Sequence, residues 1–178
     1  MNLEALATLL REAARVTRHR HFVIVGSLSA VGVSTDLPER MVQSIDVDMF
    51  PKLDPERLAE INEHVGESSA FHIEHGYYAD ALSPQALSLP AGWESRLIQM
   101  PLAGGVTAWF LDPNDAAASK LIRGAGNDRE WVDAGLAAGI LSSVTVAERL
   151  RTITNCLDGE VGAALKALAG LGKTRSRR

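Results

Sequence analysis

Hydrophobic positions change their spacing along the first third of the chain, and each change predicts a different element. Leucines and alanines recur at helical intervals over residues 3–14, which predicts an amphipathic first helix. The apolar run at residues 22–25 is typical of a strand buried on both faces, and Gly26 and Ser27 after it predict a sharp turn. Residues 44–50 alternate polar and apolar side chains, as in a second strand.

The rest of the chain passes from extended to helical patterns. Asp-Pro-Glu at residues 54–56 is typical of a helix start, and Gly66 of its end. Residues 71–110 form segments separated by proline and glycine, which predict antiparallel strands added to the first two. Four helices are then predicted over residues 115–123, 129–141, 146–157 and 161–171. This order predicts an α+β fold with a mixed or antiparallel sheet flanked by helices, and a helical C-terminal part.

Length and composition are those of one globular domain. The chain has 178 residues, of which 46% are hydrophobic and 22% charged, so it can bury a core and is not disordered throughout. We expect a single domain over residues 1–172, with a sheet-containing core at 1–111 and a helical part at 112–172. The basic tail at 173–178 carries no apolar anchor and is predicted to be disordered.

The charge and the hydropathy of the chain limit the binding partners and the cellular compartment that we expect. No run of about 18 apolar residues occurs and the N-terminus lacks signal-peptide features, so we expect a cytoplasmic protein without a membrane partner. A net charge of −4 argues against a general nucleic-acid coat and leaves only a local basic patch, with the basic tail, Arg18, Arg20 and Arg123 as candidates. The only cysteine, Cys156, falls in a predicted helix, so any metal would be held by oxygen or histidine.

The strongest chemical signal is the acid pair Asp46 and Asp48 in the second predicted strand. Their two-residue spacing places both carboxylates on one face of the strand, side by side. Two interpretations remain open: a site for a divalent cation such as Mg²⁺, which would neutralise their repulsion, or a solvated strand face opposite an inward-facing Val47. The preceding Gly26–Ser27 turn favours the cation, because glycine lets backbone N–H groups approach a phosphate and serine adds a hydroxyl.

Two sequence blocks resemble a known family. The first joins Val-Ile-Val-Gly-Ser at residues 23–27 to Ser-Ile-Asp-Val-Asp at 44–48, and it resembles the signature of the DNA polymerase beta-like nucleotidyltransferase superfamily. The second lies at residues 112–132 and contains Lys120 and Asp128. It is similar to the helical part of the minimal, abortive-infection-toxin-like branch of that superfamily.

The resemblance implies a nucleotide site with a role for each matching residue. It implies that Gly26 and Ser27 contact the nucleotide phosphates and that Asp46 and Asp48 bind Mg²⁺ or Mn²⁺. It also implies that Lys120 contacts the triphosphate or the substrate and that Asp128 supports that site. Metal and lysine would together stabilise the charge that develops on the phosphoryl group and the leaving pyrophosphate.

A third catalytic carboxylate, present in many members of the superfamily, has no unambiguous counterpart in this sequence. Asp80 is the first candidate and Glu74 the second. Two neighbouring signals are weaker. His72 and His75 would lie on opposite faces of a predicted strand, so they would not chelate one metal. Arg96 suits either a phosphate contact or an exposed position beside a packed tryptophan.

The implied activity is Mg²⁺-dependent transfer of a nucleoside monophosphate from a nucleoside triphosphate (NTP) to a hydroxyl. The resemblance implies an RNA end such as that of tRNA, or a protein side chain, as acceptor, and the role of toxin with a cognate antitoxin as partner. Two alternatives keep the fold: a non-catalytic nucleotide-binding or regulatory module, and a small-molecule adenylyltransferase. The unassigned third carboxylate favours the module. An acidic groove at the acceptor site would favour a small molecule as acceptor, and a basic groove would favour RNA.

Overall fold

A five-stranded mixed sheet forms the centre of the computed structural model, which describes residues 1–171. The strands are β1 (His21–Ile24), β2 (Asp46–Pro51), β3 (Tyr78–Ala81), β4 (Ile98–Leu102) and β5 (Val106–Phe110). Their order is β3-β2-β1-β5-β4, with β2 antiparallel to β1 and parallel to β3. β5 lies parallel to β1 and antiparallel to β4. The predicted basic tail at 173–178 and the domain boundary at residue 172 lie outside the described residues.

Helices flank this sheet and dominate the C-terminal part. They are α1 (Leu3–Thr17), α2 (Glu39–Val42), α3 (Leu58–Val65), α4 (Ala70–His75), α5 (Pro113–Arg123), α6 (Gly126–Ala137), α7 (Ser143–Leu150) and α8 (Glu160–Gly170). Short 3₁₀ helices lie at Gly26–Gly32, Pro84–Ala86 and Trp93–Arg96. No helix within residues 1–171 is both long and apolar enough to cross a membrane. The predicted α+β class with a helical C-terminal part is confirmed.

Alternating side chains of the central strands contribute to two apolar layers. On one face of the sheet, Phe22 and Ile24 of β1 belong to the same fully buried cluster as Leu9 and Leu10 of α1. On the other face, Val23 packs with the cluster formed by α5, α6 and α7. Because neighbouring residues of a strand point to opposite faces, the residues of β1 after His21 are apolar on both faces, as the sequence indicated for residues 22–25.

Residues 70–75 form the helix α4, so the prediction of an extended segment there is wrong. Ser69 caps this helix by accepting a hydrogen bond from the His72 backbone N–H at 3.2 Å, and Gly76 ends it with a φ of 76°. Phe71 is buried in the core, and the resulting helix packs against α3. The two helix caps outweigh the alternating pattern of polar and apolar residues. His72 and His75 therefore lie one helical turn apart, and not on opposite faces of a strand.

The pairing of the later strands also differs from the prediction. β3 joins β2 in parallel and β5 joins β1 in parallel, while β4 and β5 form an antiparallel hairpin. The helices α3 and α4 lie between β2 and β3 along the chain. A crossover of this kind allows two strands to run parallel, which a short turn does not. The sheet is therefore mixed, and the antiparallel alternative is wrong.

Several helix boundaries differ from the predicted positions, among them the start of α3 and the end of α7. α3 begins at Leu58, about one turn later than predicted, because the preceding residues form a separate turn. α7 ends at Leu150, so Cys156 lies outside a helix and its predicted placement is wrong. Beyond α7, Asn155 donates its side-chain amide to backbone carbonyls in the loop at 85–87, at 2.9 and 3.1 Å. These bonds hold the segment in a non-helical path.

Candidate active site

Three aspartates come together at one end of the sheet. Asp46 and Asp48 lie on β2, and Asp80 lies on β3, where the parallel register places it opposite Asp48. One carboxylate oxygen of each lies within 4.8 Å of an oxygen of the other two. Asp46 and Asp48 are half-buried and Asp80 is exposed, and Asp46 accepts a hydrogen bond from the Ser44 hydroxyl. The first candidate for the third carboxylate therefore lies beside the acid pair.

Burial and mutual repulsion raise the pKa values of two of these carboxylates. Burial is the main cause at Asp48, whose pKa rises to about 6, and the charges of Asp46 and Asp80 add to it. The pKa of Asp80 is raised by burial and by the charges of Asp46 and Glu67. A cation bound between the three carboxylates would relieve this repulsion.

The turn after β1 fits closely against Asp48. Gly26 has a φ of 64°, and a Cβ atom at this position would lie 1.8 Å from Asp48 Oδ2. The backbone N–H of Val25 donates to the Asp48 carbonyl at 2.9 Å, which fixes the two segments to each other. Glycine is therefore required here by its backbone conformation and by the carboxylate beside it.

Lys120 is buried between Ser27 and Asp128. Its ammonium donates to Ser27 Oγ at 3.1 Å and to Asp128 Oδ1 at 2.9 Å. Arg123 donates two further hydrogen bonds to Asp128, of 2.7 and 2.6 Å. Burial alone would raise the pKa of Asp128, but the bonds from Arg123 and Lys120 outweigh it and hold that pKa below its usual value. Asp128 is therefore ionised and fixes the lysine.

A break between two helices allows Lys120 and Asp128 to meet. α5 ends at Gly124, which has a φ of 71°, and α6 begins at Gly126. In an unbroken helix, a separation of eight residues would leave the two side chains about 80° apart around the axis. The break at the glycines, and not helical periodicity, brings the charged groups to 2.9 Å.

Trp131 supports this arrangement, and the sequence alone assigned it no role. Its indole N–H lies 3.3 Å from the Ser27 carbonyl and 3.2 Å from the Met41 carbonyl. The Lys120 ammonium lies 5.2 Å from its ring centroid, within the range of a cation–π contact. The signal available in the sequence was spacing, because Trp131 follows Asp128 by three residues and so shares its helix face.

Two cavities meet at the aspartates, and both include Asp48, Asp80, Lys120 and Arg123 in their walls. The polar cavity, of about 300 Å³, is also lined by Ser27, Arg40, Ser44, Asp46, Asn127 and Asp128. The other cavity, of about 360 Å³ and called the apolar cavity below, is also lined by Leu82, Leu87, Leu89, Leu111, Ala116 and Ile122, and by the polar residues Ser88, Ser119 and Glu160. The site therefore offers two chemically different spaces next to one acidic cluster.

Other candidates from the sequence lie away from the aspartates. Glu74, the second candidate for the third carboxylate, is on α4 and lines a separate cavity with His75. Arg96 is not an exposed arginine: its Nε lies 2.8 Å from Oδ2 of the fully buried Asp115. This buried ion pair is a partnership that the sequence did not indicate.

The three basic candidates do not form one surface. Arg18 and Arg20 precede β1, whereas Arg123 lies near the opposite end of that strand, with the aspartates. Roughly 10–13 Å separates the two ends of this four-residue strand. Arg18 and Arg20 line a depression of their own. Of the three, Arg123 alone reaches the candidate site.

The donor set fits a hard divalent cation. The clustered ligands are all carboxylate oxygens, which Mg²⁺ and Mn²⁺ prefer. Neither histidine nor cysteine belongs to the described cluster, and this argues against a zinc site. Asp46, Asp48 and Asp80 are therefore the residues that would hold Mg²⁺ or Mn²⁺.

Comparison with known families gives the broad function. A family described as "Nucleotidyltransferase of unknown function (DUF6036)" matches residues 3–161. The chain belongs to this nucleotidyltransferase family. The match spans the three aspartates, the Gly26–Ser27 turn and the Lys120–Asp128 pair, so the whole candidate site of this nucleotidyltransferase lies within it. The expected membership of the nucleotidyltransferase superfamily is confirmed, and the protein is an enzyme of nucleotidyl transfer. The abortive-infection-toxin-like branch stays a prediction.

The other two comparisons add no relative. No curated protein and no solved structure matches this nucleotidyltransferase. The roles of individual residues therefore rest on geometry and chemistry.

Proposed function

We propose that this nucleotidyltransferase moves a nucleoside monophosphate from Mg²⁺-bound NTP to a hydroxyl. The observation that carries the proposal is the cluster of Asp46, Asp48 and Asp80, whose oxygens lie within 4.8 Å of one another, beside the Lys120–Ser27 pair. Carboxylates next to a buried ammonium match the two charges of a metal–triphosphate complex.

Asp46, Asp48 and Asp80 hold the cation in this proposal, and Mn²⁺ suits the same oxygens. When bound, the metal would supply positive charge that neutralises the phosphates and the attacking oxygen. The aspartates lie on two adjacent strands, and the hydrogen bond from Ser44 further fixes Asp46. Ligands held on strands keep their positions better than ligands on loops.

Gly26, Ser27 and Lys120 bind the triphosphate in this proposal. The Lys120 ammonium has three N–H donors, of which Ser27 and Asp128 take two, so one can donate to a phosphate oxygen. Because Lys120 is only 5% exposed, water screens its charge weakly. Asp128 is a positioning residue, since it holds Lys120 and Arg123 in place.

The reaction is an in-line displacement at the α-phosphorus of the nucleotide. The acceptor oxygen forms a bond to this phosphorus, the bond from phosphorus to the oxygen bridging the β-phosphate breaks, and pyrophosphate leaves. Asp80 is exposed and belongs to both cavities, so it is placed to accept the hydroxyl proton. The position of Asp80 also supports the enzyme over a non-catalytic module, which the unassigned third carboxylate had favoured.

Three classes of acceptor satisfy this chemistry: an RNA end such as that of tRNA, a protein side chain and a small molecule. Transfer to RNA or protein is the activity expected of a toxin with a cognate antitoxin. The separation of Arg18 and Arg20 from the aspartates gives no support to RNA as acceptor, because within the described part of the chain only Arg40, Lys120 and Arg123 supply cations to the walls of the site.

A label-transfer experiment tests the proposal. The protein is incubated with each of the four α-³²P-labelled NTPs, Mg²⁺ and a cell extract, beside an Asp46→Asn/Asp48→Asn variant. A Glu63→Gln/Glu94→Gln variant is the matched control, because it removes two exposed carboxyl groups outside the cluster. We expect transfer by the wild type and the control and none by the Asp46→Asn/Asp48→Asn variant. Equal transfer by all three would contradict the proposal.

A further inference from the structure

The apolar cavity has the features of a site for a small organic ligand. Leu82, Leu87 and Leu89 are only half-buried, and together with Ile122 they present apolar surface to it. Its volume of about 360 Å³ lies in the usual range of small-molecule pockets. Asp48 and Asp80 supply carboxylate groups in its wall.

The two cavities suit the two sides of an in-line displacement. Ser27, Arg40 and Asn127 line the polar cavity, which therefore suits the charged pyrophosphate that leaves. The attacking oxygen approaches the α-phosphorus from the side opposite to the leaving group. The apolar cavity meets the polar one at Asp48 and Asp80, so it is the space from which an acceptor reaches the phosphorus.

The charges around the apolar cavity do not favour a polyanion. Its cationic residues are Lys120 and Arg123, and both already bond to Asp128. Glu160, at the start of α8, adds a negative charge to the wall. A nucleic acid requires cations for its phosphates, and beyond these two paired residues the described lining offers none.

We infer that the acceptor is a small hydroxyl-bearing molecule with an apolar body, neutral or positively charged, bound in the apolar cavity. This inference rests on the proposed nucleotidyl transfer and specifies its substrate. The hydroxyl oxygen of the molecule bonds to the α-phosphorus, pyrophosphate departs, and Asp80 takes the proton. The product is a phosphodiester that joins the small molecule to the nucleoside.

A cavity-filling variant tests the inference. Ser119 is half-buried on α5 and lines the apolar cavity, so Ser119→Trp would fill that space. Val144→Trp is the control, because it adds a tryptophan at an exposed position on α7 that lines neither cavity at the aspartates. Wild type and variants are incubated with the labelled NTPs, Mg²⁺ and an extract separated into RNA, protein and a low-molecular-mass filtrate. Affinity for Mg²⁺-NTP is measured in parallel by equilibrium dialysis. Ala86→Trp, at an exposed position of the same wall, replaces Ser119→Trp if thermal unfolding shows that the latter is not folded.

With the wild type and Val144→Trp, we expect thin-layer chromatography of the filtrate to show a labelled product that is neither NTP nor NMP. With Ser119→Trp the transfer should fall about tenfold or more, while the affinity for Mg²⁺-NTP is unchanged. A labelled product in RNA or in protein and none in the filtrate would overturn the inference and leave the transferase function intact. Equal transfer by Ser119→Trp and Val144→Trp would also overturn it. Nucleotide binding without transfer to any fraction would instead contradict the proposed function.

Discussion

The ammonium of Lys120 lies 2.9 Å from Asp128 Oδ1 although the two residues belong to different helices. Lys120 is 5% exposed and Asp128 only 1%. Through its second bond, to Ser27, the lysine also connects these helices to the turn after β1. One ion pair therefore sets the position of the helical part relative to the sheet at the candidate site.

Loss of Asp128 should destabilise the protein far more than loss of Lys120. Asp128→Ala leaves the buried ammonium without its carboxylate, which should lower the free energy of unfolding by about 3–5 kcal/mol. In Lys120→Met, Asp128 keeps its two bonds from Arg123, so the loss should be smaller. Urea denaturation of both variants measures the difference. Equal losses would show that the bonds from Arg123 do not compensate Asp128 for the loss of Lys120.

Asp48 should make the metal-free protein less stable at neutral pH. Its pKa is about 6 in the folded protein against an ordinary 3.8, so its stabilising contribution is complete below 3.8 and lost as the pH rises through 6. Asp48→Asn stays neutral, so it should raise the free energy of unfolding by roughly 1–3 kcal/mol at about pH 8. At about pH 4 the variant and the wild type should differ little.

Denaturation in the presence of a chelator measures this pH dependence, with Asp36→Asn, exposed and outside the cluster, as the control. Mg²⁺ should then raise the Tm of the wild type and have a much smaller effect on Asp48→Asn. The opposite trend in the absence of metal would be a wild type that becomes more stable relative to Asp48→Asn as the pH rises from 4 to 8. That result would disprove the assignment of the raised pKa to Asp48.

Gly26→Ala and Gly76→Ala separate backbone strain from the contact with Asp48. Both glycines have a positive φ, of 64° and 76°, so alanine costs about 1 kcal/mol or more at either position. A Cβ at position 76 meets nothing within 4 Å, whereas at position 26 it would lie 1.8 Å from Asp48 Oδ2. Only Gly26→Ala should therefore displace the carboxylate and reduce Mg²⁺-dependent transfer, by about tenfold or more.

Initial rates and urea denaturation of both glycine variants check this expectation. The reduction in rate should persist at Mg²⁺ concentrations that saturate the wild type if the carboxylate is displaced. An equal reduction in Gly76→Ala would mean that strain alone explains the effect.

Asp115 should contribute strongly to the stability of the helical part. It is fully buried, and Arg96 and Arg149 hold it at 2.8 and 3.1 Å. These arginines belong to the 3₁₀ helix at Trp93–Arg96 and to α7, so one carboxylate on α5 joins three segments. Asp115→Ala should lower the free energy of unfolding by about 3–5 kcal/mol, because it leaves two half-buried guanidinium groups without their carboxylate. Glu94→Ala, at an exposed position, is the control and should cost less than about 0.5 kcal/mol in urea denaturation.

Local patterns in the sequence were sufficient for the parts of the site that lie within one element. The two-residue spacing of Asp46 and Asp48 predicted neighbouring carboxylates on a strand, and the structure places them so. Gly26 and Ser27 were likewise predicted as a turn after an apolar strand. Each of these predictions depends only on residues close together in the chain.

Relations between distant segments could not be derived in the same way. Asp80 reaches Asp48 because β2 and β3 pair in parallel, and the sequence pattern had favoured antiparallel pairing. The contact of Trp131 with Ser27 depends on how α6 packs against the sheet, and the Arg96–Asp115 pair on the packing of α5. Such contacts follow from tertiary packing. Hydrophobic periodicity indicates which face of a helix or strand is buried, but not which element packs against that face.

The hydrogen bond from the Trp131 indole to the Ser27 carbonyl has a spectroscopic consequence. The same ring lies 5.2 Å from the Lys120 ammonium, so its emission depends on the charge and the hydration around that lysine. A triphosphate that reaches Lys120 changes both. Intrinsic fluorescence, recorded on a chain in which Trp93 and Trp109 are replaced by phenylalanine, would thus follow nucleotide entry in real time without a label.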